Sequence, residues 1–136
     1  MKANELMIGD WVCIEGPNCY QIDEIRKEFG EYRLYLKGTA VFATESEIEP
    51  IPLTPEILEK NGFFAQDQGG GRKDMWIGFG PDCEGDVEIE FDCGIATHLK
   101  IDGAFKGEYY TSTNIKSVHE LQHALRLCGI DKEIVL

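Results

Sequence analysis

Basic side chains, long apolar runs and paired cysteines are scarce in this chain, and each shortage excludes something. Thirteen Lys and Arg stand against 25 Asp and Glu, a formal net charge of −12. Such a field repels a phosphate backbone instead of releasing its counterions, so direct nucleic-acid binding is not expected. No apolar stretch approaches the roughly 18 residues of a membrane span, and Met1-Lys2-Ala3-Asn4-Glu5-Leu6-Met7 lacks the unbroken apolar core of a signal peptide. The expectation is a cytoplasmic protein without a membrane partner. Cys13, Cys19, Cys83, Cys93 and Cys128 are an odd number with no C-x-x-C pair. That predicts reduced thiols acting mostly as small core fillers. Internal repeats and low-complexity tracts are absent, as are a Walker pattern and a G-x-S-x-G elbow.

What is present is ordinary globular material: 43% hydrophobic and 28% charged residues over 136 positions. That length makes one domain or two small ones and buries roughly two-thirds of the surface its unfolded chain exposes. Between Asp10 and Leu53, short alternating stretches rich in β-branched and aromatic residues read as strands: Trp11 to Ile14, Tyr20 to Ile25, Tyr32 to Leu36 and Ala40 to Thr44. Gly16-Pro17-Asn18, Phe29-Gly30-Glu31 and Lys37-Gly38 separate them with turn chemistry. Residues 1–53 therefore predict a small SH3-like β-barrel.

Pro50, Pro52 and Pro55 break that pattern. Thr54-Pro55-Glu56 then starts a helix, with a hydroxyl cap, proline at the first helical position and an acid in the first turn; Asn61-Gly62 stops it. Strands return at Met75 to Phe79, Asp86 to Asp92, Ile95 to Ile101 and Phe105 to Tyr110, before a second helix from about Ile115 to Cys128. Residues 54–136 thus predict an α+β region, a small sheet with two helices, either separate from the first half or packed with it. Gly69-Gly70-Gly71-Arg72-Lys73, between the first helix and these strands, reads as a connecting loop and not a phosphate cradle.

His119-Glu120-Leu121-Gln122-His123 matches H-E-x-x-H, which sets two zinc-binding imidazoles one helical turn apart with a general base between them. A zinc-dependent hydrolase also needs a third ligand and a cleft. No spacing rule supplies the third ligand, and Lys116 and Arg126 flank the histidines with repulsive charge. At 100° per residue, Ile115, Val118, Leu121, Gln122, Leu125 and Cys128 form the burying face, with His119 and His123 just outside it. Ser117 with Glu120 fits a capping box, which gives that glutamate a different task. The expectation is a surface helix with two flanking histidines and no cofactor; were a metal bound, His119 and His123 would be its ligands.

Asp82, Glu84, Asp86, Glu88, Glu90 and Asp92 put an acid at every second position, with Val87, Ile89 and Phe91 between the later ones. In a strand this makes one apolar face and one carboxylate ladder: a solvated face, a dock for a basic partner or a weak calcium site, though the spacing does not match the EF-hand loop. In the first half, Trp11, Tyr20, Tyr32 and Tyr35 either line a peptide groove or serve as ordinary barrel filling.

Several stretches together resemble small uncharacterised proteins of Bacteroidetes genomes, their phages and mobile elements. They are Met1-Lys2-Ala3-Asn4-Glu5-Leu6 with Ile8-Gly9-Asp10-Trp11-Val12, Glu49-Pro50-Ile51-Pro52-Leu53-Thr54, Leu58 with Gly62-Phe63, and Val118-His119-Glu120-Leu121-Gln122-His123. The similarity spans both ends but not Ala65 to Tyr110. In that family the helix commonly reads V-H-Q-L-Q-N, so this chain departs at Glu120 and His123, and the resemblance implies no inherited metal chemistry. It implies a cytosolic product of a mobile element and carries no mechanism.

The functional expectation is a non-enzymatic protein-interaction module of a phage or mobile element, with Trp11, Tyr20, Tyr35, Glu88 and Glu90 as partner contacts. Its oligomeric state is not readable from the sequence. One alternative is an acidic, nucleic-acid-mimicking inhibitor of a host DNA-binding protein. The other is the zinc-dependent hydrolase built on His119-Glu120-Leu121-Gln122-His123.

Overall fold

The computed structural model describes residues 1–79, 85–105 and 108–136, with backbone alone at 104, 105 and 108. Asp82, Cys83 and Glu84, and the middle of the strand expected from Phe105 to Tyr110, lie outside the described residues. The chain divides into two compact units, Met1–Ile51 and Pro52–Leu136. Strand makes up 51% and helix 15%, so the protein is mostly β, which corrects the α+β expectation. Among the described residues no helix is long and apolar enough to cross a membrane.

In the first unit a turn of 3-10 helix at Ala3–Glu5 precedes β1 (Trp11–Ile14), β2 (Asn18–Glu28), β3 (Glu31–Leu36), β4 (Phe42–Thr44) and β5 (Ile48–Pro50). They form one antiparallel sheet in the order β4-β3-β2-β1-β5. Alternation decides its inner face: Val12, Ile22, Leu34, Leu36, Ala43 and Ile48 are buried together with Leu6, and Tyr20 and Ile25 pack against them. Each fully buried aliphatic side chain stabilises the fold by roughly 1.5–3 kcal/mol.

The expected SH3-like barrel is not closed. β4 and β5 stand at opposite ends of the strand order and share no ladder. The sheet does curl, because β1 pairs with the first half of β2 and β3 with the second, across a bulge between Ile22 and Glu24. That curl lets three residues, Glu45 to Glu47, connect the two edge strands. β4 and β5 are each three residues long, which leaves little backbone to pair with each other as well as with their neighbours.

A second correction concerns the cysteines. Cys13 and Cys19 are direct cross-strand partners on β1 and β2, with Cα atoms 4.2 Å apart, and are joined as a disulfide. A count of cysteines cannot see this, because the β1–β2 hairpin register is what sets the pair opposite each other. Cys93 and Cys128 are free thiols.

In the second unit, α1 (Pro55–Lys60) is capped by Thr54, whose Oγ1 accepts from the Ile57 amide at 3.4 Å. Then come β6 (Phe64–Gly69), β7 (Arg72–Phe79), β8 (Gly85–Asp92), β9 (Ile95–Phe105), β10 (Glu108–Ser112) and α2 (Val118–Leu127). The strands make an antiparallel sheet in the order β10-β9-β8-β7-β6, each beside its neighbour in sequence. Met75 faces Ile89, Ile77 faces Val87, and Ile89 and Val87 face Leu99 and Ile101, so one side of the sheet is a continuous apolar layer. A cavity of ≈ 340 Å³ lined by Ile77, Phe79 and Val87 and by Cys128, Gly129 and Ile130 places the end of α2 on that apolar side. Val118, Leu121 and Leu125 of α2 are buried, as are Leu58 and Ile134.

Two local features pin this unit. Asn61 donates from Nδ2 to the carbonyls of Ile57 at 2.7 Å and Val135 at 2.8 Å, and its Oδ1 accepts from the Val135 amide at 2.8 Å. The end of α1 thereby holds the segment after α2. Gly69, Gly70 and Gly71 have φ of 79°, 63° and 83°. Three successive left-handed residues make the tight turn from β6 to β7, a conformation that glycine alone adopts without steric cost. The expected connecting loop is therefore a hairpin end, and β6 before it escapes the alternation rule because all six of its residues are exposed.

Candidate functional site

The H-E-x-x-H stretch lies in the first turns of α2, where Ser117 is the N-cap and Glu120 the third helical residue. Glu120 Oε2 accepts from the amides of Lys116 at 2.6 Å and Ser117 at 2.9 Å. The carboxylate that a metalloprotease would use as its base is thus held on the helix's own leading amides. His119 and His123 have ring centroids 5.6 Å apart, nearly perpendicular. His119 Nδ1 lies 2.8 Å from Ser117 Oγ. Among the described residues no group of three His, Cys, Asp or Glu side chains is placed to hold a metal ion.

Ile115, Val118, Leu121, Gln122, Leu125 and Cys128 are all buried. The burying face is nevertheless wider than the expected arc. His119 is only 7% exposed, so it is not a surface histidine, whereas His123 is partly exposed. Periodicity locates the centre of a buried face; its width depends on what packs beside it.

Trp11, Tyr20 and Tyr35 do not assemble into one groove. Tyr20 pairs with Val12 across β1 and β2 and so belongs to the core side. Trp11 pairs with Gln21 on the opposite side, and Tyr35 pairs with Glu24 and Phe42, likewise away from Leu34. The outer side of this sheet answers its own charges. The Arg26 guanidinium stands 4.8 Å over the Tyr35 ring and donates to both carboxylate oxygens of Glu24, at 2.5 and 2.8 Å. Arg33 stands 4.4 Å over Phe42 and donates to Glu28 at 2.7 Å. Each arginine is stacked on an aromatic ring and neutralised by a glutamate.

The outer side of the second sheet has the acids and the rings but few cations. Its rows follow from the register. Phe64 faces Trp76, Trp76 faces Glu88, and Glu88 faces Lys100; in the next row Asp74 faces Glu90, and Glu90 faces His98. Phe64 and Trp76 are in contact, with centroids 5.1 Å apart, and remain 60% and 41% exposed. Glu88, Glu90, His98, Lys100, Asp102 and Tyr109 line an open groove of ≈ 600 Å³ on the same side.

The cations present are committed elsewhere on this face. Arg72 meets Glu90 at 3.4 Å and Lys100 meets Asp102 at 3.9 Å, both between exposed side chains. Asp74, Asp86 and Glu88 form no ion pair among the described residues. Asp74 Oδ2 accepts from Gln68 Nε2 at 2.8 Å, while its Oδ1 is buried without a hydrogen-bond partner. Partial burial, and then the charges of Asp74 and Asp86, push the Glu88 carboxyl above its usual range, against the opposing pull of Lys100. This is a surface whose carboxylates outnumber its cations among the described residues. Alternation already places Glu88 and Glu90 on it; Phe64, Trp76 and Tyr109 join them only through cross-strand register, which nothing in their local sequence reveals.

No family model matches the chain, and neither a curated protein nor a solved structure matches it.

Proposed function

We propose that this chain is a non-enzymatic protein-interaction module, and that the outer side of its second sheet docks a basic segment of a partner protein. The observation that carries this reading is the outer face itself. Exposed aromatic surface at Phe64 and Trp76 lies directly beside Glu88, which forms no ion pair among the described residues and has only the pull of Lys100 across the ladder against the charges of Asp74 and Asp86. Aromatic rings supply contact area with few rotatable bonds, and uncompensated carboxylates supply charge complementarity and steering. The phage or mobile-element setting rests on the sequence resemblance.

The test is a titration of the isotopically labelled protein with a synthetic lysine- and arginine-rich peptide, followed by NMR. Saturable shifts confined to β6, β7, β8 and β9, weakened by salt and lost on combined Glu88→Lys and Glu90→Lys substitution, are expected. Absence of shifts, or shifts confined to the first unit, would overturn the assignment. A second reading, in which the ladder stands in for a phosphate backbone, draws on Asp86, Glu88, Glu90 and Asp92 sharing one side of β8. The adjacent Lys100 interrupts the negative field on β9, which favours the peptide-docking reading. An inhibitor of that kind must be displaced from its target by duplex DNA.

A further inference from the structure

The two sheets carry the same cross-strand arrangement, complete in one and lacking its cation in the other. On the first sheet Glu24 of β2 faces Tyr35 of β3, and Arg26, two residues along from Glu24 on the same side, lies over the Tyr35 ring while gripping Glu24. On the second sheet Glu88 of β8 faces Trp76 of β7 in the same antiparallel relation. Two residues along from Glu88 stands Glu90, so the position that would supply the guanidinium carries another carboxylate. Asp74, opposite Glu90, adds a further carboxylate charge and forms no ion pair among the described residues. Among the described residues Arg72 meets Glu90, and Lys100, opposite Glu88, meets Asp102.

We infer that the Trp76–Glu88 pair, with Asp74 and Glu90 beside it, is a receptor for arginine side chains of an extended partner segment with arginine at alternate positions. This rests on the docking reading above and narrows it to a ligand. A guanidinium is planar and weakly hydrated, so it can stack on the Trp76 ring while presenting paired donors to a carboxylate; an ammonium offers a point charge and no plane. Glu88 and Glu90 are two residues apart on one strand, a separation of roughly 6.8 Å. An extended segment repeats its side chains on one side at the same interval, so an Arg-x-Arg sequence matches the two carboxylates without bending, the second arginine displacing Arg72 from its exposed, solvent-screened contact with Glu90.

The experiment uses the full chain carrying Trp11→Phe, which leaves Trp76 as the reporting fluorophore. Three peptides of equal length are titrated at low salt, identical except for arginine, lysine or glutamine at alternate positions. The arginine peptide is expected to change Trp76 emission saturably and to bind about tenfold more tightly than the lysine peptide, a difference of about 1.4 kcal/mol. Glu88→Gln should remove that preference in a protein whose thermal melt shows it folded. Equal affinity for arginine and lysine, still dependent on Glu88, would overturn the arginine receptor and leave the acidic docking face standing. No saturable response to either cationic peptide would overturn both.

Discussion

Replacing Glu120 by alanine separates the two tasks its sequence context offers it. In the structure its Oε2 accepts two backbone amides at the start of α2, Lys116 at 2.6 Å and Ser117 at 2.9 Å. A hydrogen bond to a charged acceptor contributes about 1.5–3 kcal/mol when buried, and less here because the Lys116 amide can turn to water. The favourable placement of a carboxylate at a helix N-terminus adds about 0.3–1 kcal/mol. Together these give a loss of about 2 kcal/mol for Glu120→Ala. With a urea slope of about 2 kcal/mol per molar, the unfolding midpoint of the second unit should fall by about 1 M. Trp76 fluorescence in a Trp11→Phe background reports that unit alone. Glu120→Gln keeps a carbonyl oxygen for the same amides and should lose less than about 1 kcal/mol. An unchanged midpoint for Glu120→Ala would refute the capping account. A hydrolytic activity abolished by Glu120→Gln in a fully stable protein would restore the catalytic one.

Asn61→Ala removes three hydrogen bonds at 2.7–2.8 Å, two of them to Val135. It should cost about 2–3 kcal/mol by thermal or urea unfolding, and hydrogen exchange should show the segment around Val135 released first. Glu88→Gln should raise the melting temperature near neutral pH, because the folded protein holds this carboxyl above its usual range. The sign follows from linkage: a raised carboxyl favours the folded state below the unfolded pKa of about 4.3, and that advantage is lost as pH rises through the folded value. The gain from glutamine should therefore vanish in melts recorded below about pH 4. Gly71→Ala puts a Cβ 3.0 Å from Cys93 Sγ at a φ of 83°. It should destabilise the β6–β7 hairpin by about 1–2 kcal/mol, measured by urea unfolding.

Much of the local structure is legible from neighbours along the chain. Thr54-Pro55 and Ser117 with Glu120 mark the helix starts because capping depends on side chains within three or four residues of the amides they satisfy. Val87, Ile89 and Phe91 are buried beneath Glu88 and Glu90 because a strand turns successive side chains to opposite sides. The closure expected of residues 1–53 depends instead on whether β4 and β5, consecutive along the chain, pair with each other, and that is decided by distant strands: β4 is taken by β3 and β5 by β1. The expected aromatic groove fails for a related reason. Whether Trp11 and Tyr20 share a side is set by their strand registers, and Tyr35 lies beyond a bulge in β2.

The sequence by itself determined where helices start, which strand residues face inward and where the carboxylate ladder runs, because each follows from interactions between residues a few positions apart. The tertiary structure alone decided that Cys13 meets Cys19, that His119 is buried, and that Trp76 lies opposite Glu88. Those pairings depend on strand register, fixed by the turn geometry in the β1–β2 hairpin and by burial over the whole sheet in the second unit, and on what packs against a helix.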